Sequence, residues 1–402
     1  MAEPKRHRGD GGDGGDDDRE SVLCSDDERE DLRRATAKEL VALGVDFVHL
    51  EFVRGVRHKP LFAHQVFPPD GRAIGYAGLE LNVRYTAQWR ALVKQSWTAQ
   101  SAQGDPLGDP ASRLLASDLA TKSKAVTTDA AKFAQWVVED NASALPGRVV
   151  WERNRDVIRW CDPASLATDL AVRCQAVAFW LIETNEMVDL TNDHFFFAYS
   201  TRLLDDGNVA SLTGFILLFK FRTLNASQPL TWRICQLAVA PAYASQGLGR
   251  ALIQTAHAQA GNDVYEIGVE DPCALYQNLR TLLDAQACKA KGIFFAAESA
   301  AALEAMVLPK TGRLPASTVD AVRRELKITQ QQTQVCFEIA WKHAVRDADE
   351  LVRAKYRQAV KRRLFYDYEE ELDRTADDFK ATMEALFARE TATYDDVLAV
   401  LF

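Results

Sequence analysis

Gln236-Leu237-Ala238-Val239-Ala240-Pro241-Ala242-Tyr243-Ala244-Ser245-Gln246-Gly247-Leu248-Gly249-Arg250-Ala251-Leu252 is the stretch whose reading decides the fold. It is a strand, then a turn, then a helix whose start holds two glycines. The first N–H groups of a helix have no intrahelical partner and face outward, and the helix dipole adds positive potential there. Glycine lets backbone approach a bound group closely, so the turn is an anion cradle suited to a pyrophosphate. It is not a Walker loop, because no Gly-Lys-Ser/Thr follows. Nor is it G-x-G-x-x-G, because only Gly247 and Gly249 are present.

The neighbouring stretches extend this unit in both directions. Residues 246–260 read as a helix with Leu248, Leu252 and Ala256 on one face, stopped by Gly261-Asn262-Asp263. Val264–Val269 reads as a strand, and Asp271-Pro272 opens a second helix with an N-cap residue and a first-position proline. Upstream, Ala176–Glu186 is apolar with helical length, and Phe195–Tyr199, Thr213–Phe221 and Arg233–Ala240 are short strands. Nearer the N-terminus, residues 45–52 and 75–83 are strand candidates, Pro68-Pro69-Asp70-Gly71 is a turn, and 99–113 is a loop. From about residue 313 the pattern is almost wholly helical. The expected class is α/β in four parts: an acidic arm over 1–33, an N-terminal α/β domain over 34–165, the cradle-bearing domain over 166–300, and a helical module over 301–402.

Composition narrows the classes. The chain has 402 residues, 47% apolar and 26% charged, which excludes a collagenous or wholly disordered protein. Its net charge of −9 is concentrated in residues 1–31, where 12 acidic and 5 basic side chains give −7, leaving −2 for the rest. The arm, centred on Gly11-Gly12-Asp13-Gly14-Gly15-Asp16-Asp17-Asp18, cannot bury enough apolar surface to order itself. Lys5-Arg6-His7-Arg8 reads as a solvated basic cluster or a weak nuclear-import patch. A near-neutral body argues against a direct nucleic-acid partner. No apolar run approaches membrane-spanning length, and no apolar region marks a secretory signal, so no membrane association is expected. The seven cysteines include no C-x-x-C pair and the seven histidines no H-x-x-x-H, so reduced thiols and no metal are expected.

The cradle resembles motif A of the GCN5-related N-acetyltransferases, V-x-P followed by Q/R-x-x-G-x-G/A and a helix. Here that is Val239-Ala240-Pro241 and then Ala244-Ser245-Gln246-Gly247-Leu248-Gly249, with Ala244 where Gln or Arg is usual and Ser245 where Gly is common. The resemblance implies acetyl-CoA as cosubstrate, its pantetheine arm along Leu237, Ala238 and Val239, its pyrophosphate held by residues 244–250 including Arg250. Further stretches resemble, in order, the catalytic subunit of type B histone acetyltransferases. They are Phe62-Ala63-His64-Gln65-Val66-Phe67, Gly75-Tyr76-Ala77-Gly78-Leu79, Trp180-Leu181-Ile182-Glu183-Thr184, Val269-Glu270-Asp271-Pro272 and Tyr356-Arg357-Gln358-Ala359-Val360-Lys361-Arg362-Arg363-Leu364.

That family implies transfer of an acetyl group to a lysine of newly made histone four, a histone tail as substrate, a WD-repeat histone-binding partner, and residence in nucleus and cytoplasm. A lysine amine has a pKa near 10.4 and must lose a proton before it attacks a thioester, so a positioned carboxylate is useful. The resemblance makes Glu270 the general base, with Asp271 and Glu183 as neighbouring alternatives. Asp271 also reads as a helix cap and Glu183 as a helix-end residue. A backbone N–H near Leu237–Val239 is the natural oxyanion donor. Tyr276 is either a proton donor or a core aromatic. Cys235 and Cys273 lack a neighbouring His and read as packing residues rather than nucleophiles. The family's substrate-binding positions match Asp70 and Phe219, Lys220 and Phe221, the two phenylalanines reading equally as core. The competing functions are acetylation of a small amine or protein N-terminus and a non-catalytic histone-binding scaffold.

Overall fold

The computed structural model describes residues 41–402 except 103, 192–193, 205–208, 225–226, 298, 371 and 373–377. The expectation for the arm over 1–33 lies outside the described residues.

The first part of the chain forms β1 (Val41–Leu43), helical turn α1 (Gly44–Phe47), β2 (Val48–Val53), β3 (Val56–His58), β4 (Arg72–Ile74), β5 (Tyr76–Ala77), β6 (Glu80–Tyr85), β7 (Ala91–Ser96) and β8 (Ala99–Gln100). Helices α2 (Pro110–Ala116) and α3 (Asp118–Ser123), strand β9 (Val126–Thr127) and helix α4 (Ala130–Ala142) follow. The main sheet runs β3-β2-β6-β7-β9. Two expected strands are modified. The strand expected over 45–52 begins only at Val48, because Gly44 donates to the Gly71 carbonyl (2.6 Å) and turns the chain against residues 63–71. The strand expected over 75–83 is split in two, because Gly78, at φ +56°, kinks it between β5 and β6.

A second sheet of six strands holds the cradle: β10 (Arg148–Arg153), β11 (Asp156–Cys161), β12 (Phe195–Leu203), β13 (Ala210–Arg222), β14 (Leu230–Val239) and β15 (Val264–Val269), in that spatial order. Every neighbouring pair is antiparallel except β14 with β15. Because β10 and β11 belong to this sheet, it starts near residue 148, ahead of the expected boundary at 166. Helices α5 (Thr168–Ala178) and α6 (Leu248–Gln259) pack on it, and α7 (Ala274–Ala290) follows, with Ala285 and Cys288 in the core of the C-terminal helices. The helix expected over 176–186 lies earlier, as α5. After Ala178 the chain turns, and the Trp180 carbonyl accepts from the Leu61 and Phe62 amides (2.9 and 3.2 Å), so tertiary bonds end the helix.

The last part is α8 (Ala300–Glu304), α9 (Ala316–Leu326), α10 (Gln330–Ala344), α11 (Glu350–Asp367) and α12 (Phe379–Leu401) around its own core, in agreement with the helical pattern. Inside it Arg363 is buried and bonded to Glu338 (2.7 and 3.0 Å) and Glu390 (2.9 Å), so the charges leave no orphan.

The first two parts do not have separate cores. One cluster runs from Phe47, Phe67 and Trp89 of the N-terminal part to Trp180, Phe197, Phe215 and Ala238 of the six-stranded sheet. Trp89 meets Phe215 edge-on at 6.3 Å, and the fully buried Trp180 donates its indole N–H to the Tyr85 hydroxyl at 3.0 Å. On the sheet's other face Trp160, Ile216, Trp232, Ile234, Leu252 and Ile267 make a second core under α6. Among the described residues no helix is long and apolar enough to cross a membrane.

Trp180→Phe leaves the buried Tyr85 hydroxyl without its donor and opens a void. It should lower the unfolding free energy by about 2–3 kcal/mol. The double variant with Tyr85→Phe should recover part of that loss in urea denaturation.

Candidate active site

The site is organised by one irregularity in β14. The β13–β14 ladder passes from Leu217↔Gln236 to Leu218↔Ile234, so Cys235 is an extra residue with no partner, a β-bulge. The bulge inverts the alternation of side chains. Before it, Trp232 and Ile234 enter the core under α6, and after it Leu237 does, while Gln236 and Ala238 face the N-terminal part. At the same point β15 leaves. Its parallel ladder ends at Ile234↔Val269, the Glu270 amide makes a last bond to the Ile234 carbonyl (3.0 Å), and Asp271 turns away with φ +37°. Strand β14 continues to Val239 paired on its β13 side alone. Residues Leu237, Ala238 and Val239 therefore border a gap in the sheet with one backbone edge open.

At one end of the gap stands the cradle. Gly247 is the N-cap of α6 with φ +84°, and no side chain caps the helix. The Ala251 amide is the first to reach an intrahelical acceptor, Gly247 (3.0 Å), which leaves the amides of Leu248, Gly249 and Arg250 as the open first turn. A Cβ on Gly249 would meet only Leu279 at 3.7 Å and Val239 at 3.9 Å, so packing does not require glycine there. Ser245, where the resembling motif favours glycine, is held at φ +59°. The Arg250 side chain turns away to Gln286 (2.8 Å). Two arginines that motif reading misses stand over the loop instead. Arg153 donates to the Gln246 carbonyl (2.8 Å), and Arg202, gripped by Asp156 (2.6 and 2.9 Å), donates to Gln246 Oε1 (2.5 Å). They lie 93 and 44 residues from Gln246, so only sheet register could have revealed them. Ala244 follows the short turn Pro241–Tyr243 and has no side chain to offer an anion.

At the other end lie the carboxylates. Glu270 is half-exposed, 3.8 Å from Arg233, whose guanidinium lies 5.2 Å from the Phe221 ring, and Phe221 stacks on Phe219 at 6.2 Å. These four form a row along one face of the sheet edge. Lys220 does not join it, pointing to the opposite face over Phe196 (5.8 Å). Asp271 is not the helix cap that its position before proline suggests. Its left-handed turn delays α7, whose N-cap is Cys273, and leaves Asp271 exposed beside Glu270.

Glu183 is exposed in the turn two residues ahead of Asn185, and a chain of buried amides ties that turn to the bulged strand. Gln236 Nε2 donates to Asn185 Oδ1 and to the Glu186 carbonyl, both at 2.8 Å. Gln65 and Asn185 exchange side-chain and backbone bonds (2.7 and 3.1 Å), and Asn185 Nδ2 donates to the Gln175 carbonyl (3.2 Å). Glu270 is thus anchored at Ile234 and the Glu183 turn at Gln236, one on each side of Cys235. A groove of about 770 Å³ begins at this network, between Gln65 and Pro68 on one wall and Asn185 and Glu186 on another, with Arg113 and Lys122 beyond. Asp70, two residues after Pro68, pairs with Arg72 at 3.1 Å.

Cys235 is unsuited to nucleophilic attack. Burial, helped by the Glu270 carboxylate, pushes its thiol up to about 11, so it stays protonated near neutrality. Tyr276 packs against the core under α6, and burial pushes its hydroxyl well up, keeping its proton. Among the described residues no cluster of His, Cys, Asp and Glu could hold a metal ion.

Parts of the chain are similar to known proteins. Residues 155–279 match the pattern described as "Acetyltransferase (GNAT) family", and residues 37–183 match "Histone acetyl transferase HAT1 N-terminus". The histone acetyltransferase type B catalytic subunit of Arabidopsis thaliana is 24% identical over 318 residues, 70% of this chain and 65% of that protein. Its counterpart from Rattus norvegicus is 21% identical over 248 residues, 57% of this chain and 58% of that one. The chain thus spans less than two thirds of either relative's length. An aminoglycoside acetyltransferase from an uncultured soil metagenomic sample is 18% identical, covering 32% of this chain and 87% of its own, with a TM-score of 0.24.

The two cradle glycines should behave differently in the folded protein. Gly247→Ala forces a side chain into the left-handed region and should cost about 1–2 kcal/mol of stability. Gly249→Ala, in helical backbone with room for a methyl, should leave the melting temperature unchanged or slightly raised.

Proposed function

We propose, for a chain that belongs to the GNAT acetyltransferase family with a HAT1-type N-terminal domain ahead of it, the activity of a type B histone lysine acetyltransferase. The observation that carries the reading is the gap between β14 and β15, with an anion cradle at one end and Glu270 at its mouth. Acetyl-CoA fits this arrangement. The first-turn amides of 248–250, under Arg153 and Arg202, would hold its pyrophosphate, and the open edge at 237–239 would meet its pantetheine amides. When bound it supplies the activated acetyl group.

The remaining work belongs to the chain. Glu270 takes a proton from the substrate ammonium, freeing a lone pair on nitrogen. Backbone N–H groups of the open β14 edge receive the negative charge that develops on the acyl oxygen as the C–N bond forms and the C–S bond breaks. A thiolate is a far better leaving group than an alkoxide, so no dedicated acid is needed and Tyr276 can serve packing. With the Cys235 proton retained, transfer is direct rather than through an acyl-enzyme. The aromatic pair Phe219 and Phe221 offers a wall for the aliphatic lysine stem. The groove from Gln65 to Glu186, lined by Asp118 and Glu186 as well as Arg113 and Lys122, gives the rest of a peptide a path. The preferred substrate is newly made histone four, with a WD-repeat histone-binding subunit as partner and both nucleus and cytoplasm as sites of action. Incubation with acetyl-CoA and mixed core histones, followed by mass-spectrometric mapping, tests this. Acetyl-lysine should appear on histone four, and modification of small amines or N-termini alone would refute it.

Glu270→Gln should lower turnover near neutral pH by about 10²–10⁴-fold, the usual contribution of a general base, with acetyl-CoA affinity unchanged. If Glu183 substitutes for it, only the double variant with Glu183→Gln will show the full loss. Gly249→Glu should fold normally yet abolish acetyl-CoA binding in calorimetric titration, because its carboxylate occupies the cradle.

A further inference from the structure

Helix α11 is the most basic element among the described residues, in a chain whose net charge after residue 31 is −2. Its 18 residues carry Arg353, Lys355, Arg357, Lys361, Arg362 and Arg363 against Glu350 and Asp367. Arg363 is spent inward on Glu338 and Glu390, and the others face outward. Beside them a groove of about 830 Å³ runs between α11 and α12. Its floor is apolar, from Leu351, Phe365, Phe379 and Met383, and Leu351 is 70% exposed. Its rim carries Lys355, Arg357, Lys361, Arg362 and Lys380; Glu384, the one acidic lining residue, pairs with Arg357 and Lys361, and Lys355 pairs with Glu304 (3.0 Å), so the rim keeps a net positive charge. A basic rim about an apolar floor calls for an acidic segment with an apolar centre.

The chain contains such a segment outside the described residues. Asp16-Asp17-Asp18-Arg19-Glu20 and Asp26-Asp27-Glu28-Arg29-Glu30-Asp31 flank Ser21-Val22-Leu23-Cys24-Ser25, so an acidic, apolar, acidic order faces a basic, apolar, basic one. We propose that Asp16–Asp31 docks in the α11–α12 groove of its own chain, with Val22 and Leu23 on the floor and the acidic runs along the rim. Leu23 precedes Val41 by 18 residues, a tether of up to about 60 Å when extended, against a radius of gyration of about 21 Å for a body of this size. Tethering raises the effective concentration toward millimolar, so individually weak surface ion pairs suffice to fill the groove. Docking requires no fold within the segment, in keeping with its composition.

Zero-length carbodiimide crosslinking of the full-length chain, which joins carboxylates to amines, tests this directly. Peptide mapping at low salt should join residues 16–31 to Lys355, Lys361 or Lys380, and the joins should vanish near 1 M salt, where the Debye length is about 3 Å. Arg357→Glu with Arg362→Glu, which leaves those lysines in place, should lower the yield about tenfold. Val22→Asp with Leu23→Asp should lower it comparably without touching the folded body, which guards against misfolding of the arginine variant. Crosslinks spread over lysines of the whole body, or formed only between chains in a mixture of isotopically light and heavy protein, would overturn docking in cis. So would a yield unmoved by either pair of substitutions, including the case in which the groove instead takes up an added DNA duplex.

Discussion

A single unpaired residue, Cys235, is the constraint from which the site follows. By lengthening β14 relative to β13 it inverts which side chains face which layer, and at the same rung the parallel partner β15 departs. A regular strand would keep Ile234 and Gln236 on one face. The bulge instead sends Ile234 into the core under α6 and Gln236 toward the N-terminal part, where it can grip Asn185. Parting the strands leaves polar backbone without a partner, tolerable only where solvent or a ligand can pair with it.

That grip explains why the two leading parts of the chain act as one. Buried amides cost free energy unless they are bonded, and the bonds of Gln236 Nε2, Gln175 Oε1 and Asn185 are shared among the bulged strand, α5, the Glu183 turn and Gln65, while Gln236 Oε1 and Gln175 Nε2 have no partner among the described residues. Glu270 and the turn that carries Glu183 are therefore referenced to the same strand from opposite sides. The N-terminal part contributes the far wall of the groove and, through Gln65, a share of the site's geometry.

Whatever depends on near neighbours was legible in the sequence. The strand, turn and helix over 236–252 are there, as is Val264–Val269, because apolar periodicity and two glycines act locally. Whatever depends on distant bonds was hidden. The helix expected over 176–186 ends at Ala178 because residues 61–62 capture the Trp180 carbonyl. Asp271 fails as a cap because β15 turns away there, and Lys220 leaves its phenylalanine neighbours because strand alternation puts it on the other face. The extra residue at Cys235 carries no local mark, and neither do Arg153 and Arg202 above the cradle.

The shared core also sets an order of events at birth. Phe47, Phe67 and Trp89 leave the ribosome well before Trp180, Phe197 and Phe215, the residues that cover them. At about 5–20 residues per second, the interval from Trp89 to Phe215 is roughly ten seconds. For that time the leading segment presents an apolar face with nothing to close it. A stall in translation after residue 150 should therefore leave a product prone to aggregation rather than a folded fragment.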